Sequence, residues 1–394
     1  MEKSYKNDSL LEIIFFLLSF TTIFALREII GGKSISLLYC VILLLLFYYI
    51  IKNRVKILLI GNIYIYALTF GFLLHFMQGS VAINRIGENL FARLIPILVL
   101  SIFLYKNKQI NCRLFSIAFL LFYITECSLA IYEKITMEHV IHYAEIEDLQ
   151  ATSFEMLDTT EFRSFSLMLH PLYNANTISV CLSFILFKNI GFLKKMILIG
   201  LGLIALWAFN SRGALIVWAI LIVYRLFLFQ SNWIYTILII GIMYFAIPVL
   251  LDYIQFTGIL GRLSTFDLSD GSSVTRLEAF TEFINQKWTT EDIFVGGRVL
   301  NYNGTKVSLE NGILLDFGYW GFVVGSIKIV IELVMTYLSV KEYSLKERIF
   351  IMISFWGVAF MNNNSYSTWL MAIFVLCLIS FKNIYSNESL VYRK

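Results

Sequence analysis

Five residues stand out as able to do chemistry together. Arg163 and His170 lie in RSFSLMLHPLYNAN (163–176), Arg212 in FNSRGAL (209–215), Arg276 in DGSSVTRLEAF (270–280), and Glu310 beside Asn311 in VSLENGILLDFGYWG (307–321). A guanidinium is a planar fork that donates two parallel hydrogen bonds and keeps its charge at every accessible pH. Three such forks match a diphosphate. The His170 imidazole can accept a proton or hold a sugar hydroxyl, and Glu310 can serve as a general base.

Each residue also has a plainer reading. Arg212, at a short turn, can snorkel to lipid headgroups, and Arg276 can be a solvated residue on an amphipathic loop helix. His170 precedes a proline, which biases it away from helix, so a structural hydrogen bond is as good a use for it as catalysis. Asp316, read as lying near the start of a helix, suits the unpaired amides there. His139 and His142, on the stretch ITMEHVIHYAEIEDL (135–149), read as solvated on a helix lying flat on a membrane surface.

The elements that must position these residues are apolar. Hydrophobic residues make up 59% of the chain and charged residues 15%, against about 25% charged in soluble proteins. Mean hydropathy is +0.76. Runs long enough to cross a hydrocarbon core number about twelve. They fall at 10–26, 35–51, 57–76, 90–105, 114–132, 176–190, 196–210, 213–229, 233–252, 311–338, 349–363 and 366–381. The expected fold is therefore all-α and polytopic, one integral membrane domain over 1–394 with external loops at 133–175 and 253–310.

Basic residues collect in alternate connections, among them KNRVK (52–56), YKNKQINCR (105–113), KNIGFLKK (188–195) and VKEYSLKER (340–348). The positive-inside rule then places both termini in the cytoplasm and the five candidate residues outside. Topology accounts for the net charge of +4, so no nucleic-acid partner is implied. The five cysteines show no CxxC spacing, which argues against disulfides and a zinc site. The glycine-rich pieces lack P-loop spacing. No internal repeat is evident. Within the second loop, Leu277, Phe280, Ile284 and Trp288 follow the capping box Thr275-x-x-Glu278 at helical spacing, and predict a helix packed on the mouth of the bundle.

Taken in order, these elements resemble the O-antigen polymerase and O-antigen ligase superfamily, particularly its exopolysaccharide and capsule polymerase branch. The resemblance rests on Arg163 with HPLYNA (170–175), the Ser211-Arg212-Gly213 turn, a helical Arg276, and Glu310-Asn311 entering a span that carries YWG (319–321). It covers about 160–325 in motif and the whole chain in hydropathy. Two departures accompany it: no glycine stands at the Arg-x10-Gly spacing from Arg163 or Arg276, and many ligases carry His where Glu310 stands.

The resemblance implies a GT-C-like helical glycosyltransferase in a bacterial cytoplasmic membrane. Its substrate would be an undecaprenyl-diphosphate-linked oligosaccharide, with a chain-length regulator and a flippase as accessory partners and no cofactor or metal. Arg163, Arg212 and Arg276 would hold diphosphate, Asn174 and Asn311 would contact sugar, and His170 and Glu310 would handle protons. The alternatives are a ligase of the same class or, from another class, a flippase or permease for lipid-linked sugars.

Overall fold

The computed structural model describes most of residues 32–77, 93–102, 113–141, 162–187, 191–229, 287–294 and 312–361, with shorter pieces near 10–17, 281–285, 296, 301–306 and 371–375. Almost all of this is helical. The helices are α1 (Gly32–Asn53), α2 (Leu59–Met77), α3 (Arg93–Ile102), α4 (Arg113–Thr136), α5 (Pro171–Phe187), α6 (Phe192–Ala208), α7 (Arg212–Phe229), α8 (Thr290–Phe294), α9 (Gly312–Val340), α10 (Leu345–Met352) and α11 (Val358–Met361). A π turn, Ile353–Gly357, joins the last two. The expected spans at 10–26, 233–252 and 366–381 fall largely or wholly outside the described residues.

Two helices, α2 and the Asp316–Val340 part of α9, are long and apolar enough to cross a membrane. The helices carry large apolar side chains on their outer faces as well as their inner ones. Leu44 on α1 is 68% exposed and Leu59 on α2 is 73% exposed, while Tyr64, Leu68 and Phe72 at four-residue steps on α2 are buried. A helix apolar all round belongs in a large core or in lipid.

Small residues and hydroxyls bring the helices together. A Cβ at Gly71 would stand 3.0 Å from the Trp320 ring, and one at Gly202 would overlap the Tyr123 hydroxyl and the Leu182 side chain. Gly202 thus lets its helix pack closely, while Gly200 faces open space. On α5, Ser179 accepts from Trp218 Nε1 at 2.9 Å, and Ser183 donates to Ser354 of the π turn at 2.6 Å.

Two local expectations are corrected. The run expected as one span over 311–338 is broken at Gly321, whose φ of 74° and ψ of 168° are not helical. Lys328 Nζ reaches Asp316 Oδ2 at 2.5 Å across twelve residues, a separation that a straight helix would stretch to about 18 Å. Limb 312–320 must therefore fold back on limb 322–340, and Gly325 makes room for it, since a Cβ there would lie 3.1 Å from the Asp316 carbonyl oxygen. The surface helix expected over 135–149 is absent from its described part: α4 ends at Thr136, Met137 takes φ 58°, and 137–141 are turn and bend. The all-α expectation holds for the described residues, whose one exception is a small hairpin in which Asn301–Tyr302 pairs antiparallel with Thr305–Lys306. Asn303-Gly304 between them is the dipeptide that hairpins favour.

In the second loop, 283–285 are helical and the chain leaves the helix before Trp288. Trp288 folds back to donate to the Phe283 carbonyl at 3.2 Å, and the two rings pack with Leu314, Phe317 and Phe322. The loop thus docks on the break in α9. Gly296 seals that contact: its φ is +69°, and a Cβ there would overlap the Gly321 amide and the Tyr319 carbonyl.

Candidate functional site

Segment 162–170 is a non-helical strap buried against α4. Glu126 and Glu133 lie seven residues apart and so share a face of that helix. Glu133 accepts from the amides of Phe165 at 2.7 Å and of Ser166 and Val140 at 3.1 Å, and Glu126 accepts from the Leu167 amide at 3.2 Å. Ser164 Oγ donates to the Ala130 carbonyl at 2.7 Å, and Lys134 Nζ to the Phe162 carbonyl at 2.7 Å. Two carboxylates thus satisfy the amides of a loop that has no helix or sheet to do so. Ser166 and Leu169 take φ of 43° and 52°, a left-handed backbone held in place by these bonds.

His170 ends the strap and caps the next helix. α5 begins at Pro171, five residues before the span expected at 176, and proline suits a first helical position. The Leu172 amide donates to His170 Nδ1 at 3.2 Å, the contact a capping side chain makes, and the ring meets Tyr173 edge-on at 5.3 Å. Nδ1 as acceptor fixes the neutral tautomer with hydrogen on Nε2. Asn174 is buried and holds the same strap: its Nδ2 donates to the Phe165 carbonyl at 2.6 Å and its Oδ1 accepts from the Met168 amide at 3.1 Å.

The strap also touches the turn that carries Arg212. The Ser164 amide donates to the Ala208 carbonyl at 3.2 Å, and the turn beyond it contains Asn210 at φ 52° before α7 starts at Arg212. Arg163, half-buried, and the backbone of Arg212 are thereby brought to one end of α4, α6 and α7. The Arg212 side chain, Arg276, Glu310 and Asn311 lie outside the described residues.

Lys134, just past the expected 114–132 span, adds a cation that sequence reasoning missed. Burial first, and the Arg163 guanidinium second, hold its ammonium below its ordinary pKa. His139, expected to be solvated, is instead stacked between Phe162 and Phe165, with ring centres at 4.8 and 4.3 Å, and stands 3.5 Å from Glu133. Its burial follows from the turn at Met137, which folds the chain back over the strap.

A second polar cluster surrounds the break in α9. Lys328 bridges Asp316 at 2.5 Å and Glu332 at 3.3 Å, Tyr64 donates to Glu332 at 2.8 Å, and Arg93 stands 3.8 Å from Asp316. Asp316 is therefore an ion-pair partner and not a helix N-terminal carboxylate, because limb 312–320 turns it toward Lys328. Arg93 also lies over the rings of Trp320 at 4.8 Å and Tyr319 at 5.6 Å. None of Arg93, Lys328 and Glu332 was among the residues singled out above. The signal that could have found them is an ionisable residue inside an apolar run, as at Lys328 and Glu332.

No protein-family model, curated protein or solved structure matches this chain. The two clusters differ in what they can hold. The first can present cations and an imidazole at a buried, strained strap; the second can hold charge inside a helix pair. Among the described residues, no three His, Cys, Asp or Glu side chains gather as metal ligands would, and Cys40, Cys127 and Cys181 form no disulfide.

Proposed function

We propose that this chain is a multi-pass membrane glycosyltransferase of the O-antigen polymerase type. It would work at the outer face of a bacterial cytoplasmic membrane, with both termini inside and a GT-C-like arrangement of about twelve spans. The growing glycan on one undecaprenyl diphosphate passes to a hydroxyl of a repeat unit on another. The acceptor oxygen attacks the anomeric carbon, the bond from that carbon to the diphosphate oxygen breaks, and the configuration inverts.

What carries the proposal is the strap: a loop rigidly held by Glu126, Glu133 and Asn174 presents Arg163 and His170 and is hydrogen-bonded to the turn before Arg212. Departure of a diphosphate needs its charge held, which fixed guanidinium groups in a poorly hydrated site can do. The attacking hydroxyl needs placement and a weak base. In this reading Arg163, Arg212 and Arg276 hold the diphosphate. Asn311 orients sugar, Glu310 accepts the proton, and Asn174 and His170 act through the shape of the strap, His170 with its Nε2 side toward substrate.

The test is incubation of purified protein with a lipid-linked repeat unit, followed by gel analysis of the glycan. The expected product is a ladder. A single shift on a second acceptor means a ligase, and no covalent change rejects the transferase. Arg212→Lys is expected to lower polymer yield at least tenfold, because a point charge does not reproduce the bidentate fork; full polymer length in that variant would remove Arg212 from the site.

One observation favours a second reading, a flippase or permease for the same lipid-linked sugars. A buried network of two cations and two carboxylates at a broken helix is the arrangement in which transporters hold substrates and coupling ions. Movement of a fluorescent lipid-linked sugar across proteoliposomes, without polymer formation, would decide for transport.

A further inference from the structure

Phe165 of the strap is gripped twice by the same two residues. Its amide donates to Glu133 Oε2 at 2.7 Å, and its ring stacks on the His139 imidazole with centres 4.3 Å apart. His139 in turn faces Glu133: Nδ1 stands 3.5 Å from Oε2, the oxygen that already accepts from Phe165 and Ser166, and completes no hydrogen bond. What passes between the ring and the carboxylate at that distance is therefore charge. A neutral imidazole adds only its stacking, and with its lone pair on Nδ1 it sets an acceptor against an acceptor. An imidazolium is drawn to the buried carboxylate and to the faces of Phe162 and Phe165 as well.

The other charges around the ring come from three places. On α4, Lys134 donates to the Phe162 carbonyl and lies over the Phe162 ring at 6.0 Å, and Glu126, seven residues before Glu133, is engaged with the Leu167 amide. On the strap, Arg163 is near enough for its charge to act on Lys134. On the segment of His139 itself, Glu138 is exposed to solvent. Lys134 and Arg163 oppose a further positive charge, but among the described residues Glu133 alone is within ion-pair distance of the ring. The turn at Met137 makes the contact possible: it brings Val140 to donate to Glu133 Oε1 at 3.1 Å and sets His139 beside it, so both residues close over the carboxylate.

We propose that His139 is a proton-dependent positioning residue for the strap. With its imidazole protonated it clamps Phe165 to Glu133 and holds the strap firm; with that proton lost, the strap is left to its amide bonds. The group gains its partner in the protonated form, so the clamp is fully present at low pH and is lost as pH rises. The clamp stands on the geometry of the strap, whereas its bearing on glycan transfer rests on the reading given above, in which the strap presents Arg163 and His170. His139 belongs to the loop read as external, so the pH it answers to is that outside the cytoplasm.

The experiment is hydrogen exchange on the full chain in nanodiscs, read by mass spectrometry from about pH 5.5 to about pH 8, the range in which imidazoles change charge. Each rate is divided by the intrinsic rate at that pH, and the peptide over 162–170 is compared with one from the interior of α5. The relative protection of the strap is expected to fall about tenfold across the range, the effect of roughly one charge-assisted contact. His139→Phe keeps a ring for the stack and cannot titrate, and is expected to make that ratio independent of pH. His139→Gln is expected to do the same, which guards against misfolding of either variant. The clamp is overturned if the wild-type ratio is flat, or if its pH dependence survives in either folded variant. A chain that builds polymer on a strap indifferent to pH loses the clamp and keeps the polymerase reading. A chain whose strap loosens with pH but which builds no polymer keeps the clamp and loses the polymerase.

Discussion

The strap on α4 and the break in α9 both bury carboxylates, but they use them in opposite ways. At the strap, Glu126 and Glu133 accept mainly from backbone amides and so determine the path of a loop. At the break, Asp316 and Glu332 face Lys328, Arg93 and Tyr64, so side chain answers side chain and the path of the backbone is set by Gly321. A carboxylate bound to amides positions whatever the loop carries. One bound to cations holds two helix limbs together, and fails differently when a partner is lost.

The sharpest way to break the comparison is Lys328→Met. It leaves Asp316 and Glu332 buried without their shared cation, and removing one member of a buried pair costs about 3–5 kcal/mol. We expect a lower thermal midpoint in detergent, with much of the loss recovered in the triple variant that adds Asp316→Asn and Glu332→Gln. If the triple variant is no more stable than Lys328→Met alone, the charges do not act as one unit.

Glu133→Gln comes next. It keeps the shape and an acceptor but removes the charge, weakening charge-assisted bonds by about 1.5–3 kcal/mol. Its signature should be local: faster hydrogen exchange at Phe165 and Ser166, and lost polymer with most of the global stability retained. A uniform rise in exchange across α4, α5 and α6 would make the strap part of the core.

Asn174→Ala is expected to have the smallest effect, about 1–2 kcal/mol for a buried amide with two backbone partners. It should reduce polymer yield without changing which lipid-linked substrate competes. Altered substrate preference would return Asn174 to direct sugar contact.

Much of the helical layout was legible because a long apolar run without helix breakers reads as one helix, and 35–51, 57–76 and 213–229 differ from the observed helices by a few residues only. The break at Gly321 was not, since a glycine among aromatics inside an apolar run is ordinary in a membrane helix and carries no mark of its backbone angles. The pairings were hidden for a different reason. Tyr64 and Glu332 are 268 residues apart, and Lys134 bonds the Phe162 carbonyl 28 residues further on. Order along the sequence drew attention to Arg163, His170 and Arg212, whereas the carboxylates that place them look, in sequence, like stray charges near a span end.

The π turn at Ile353–Gly357 bears on how this family of shapes can change. Its wide turn lets Ser354 meet Ser183 on α5 while Trp356, two residues on, donates to Thr336 on α9. Excising one residue there would rotate everything as far as Met361 by about 100° and withdraw both contacts at once. Insertions and deletions should therefore be tolerated in the loops and refused at this point, which makes the length of 345–361 a more stable signature of descent than the identity of its side chains.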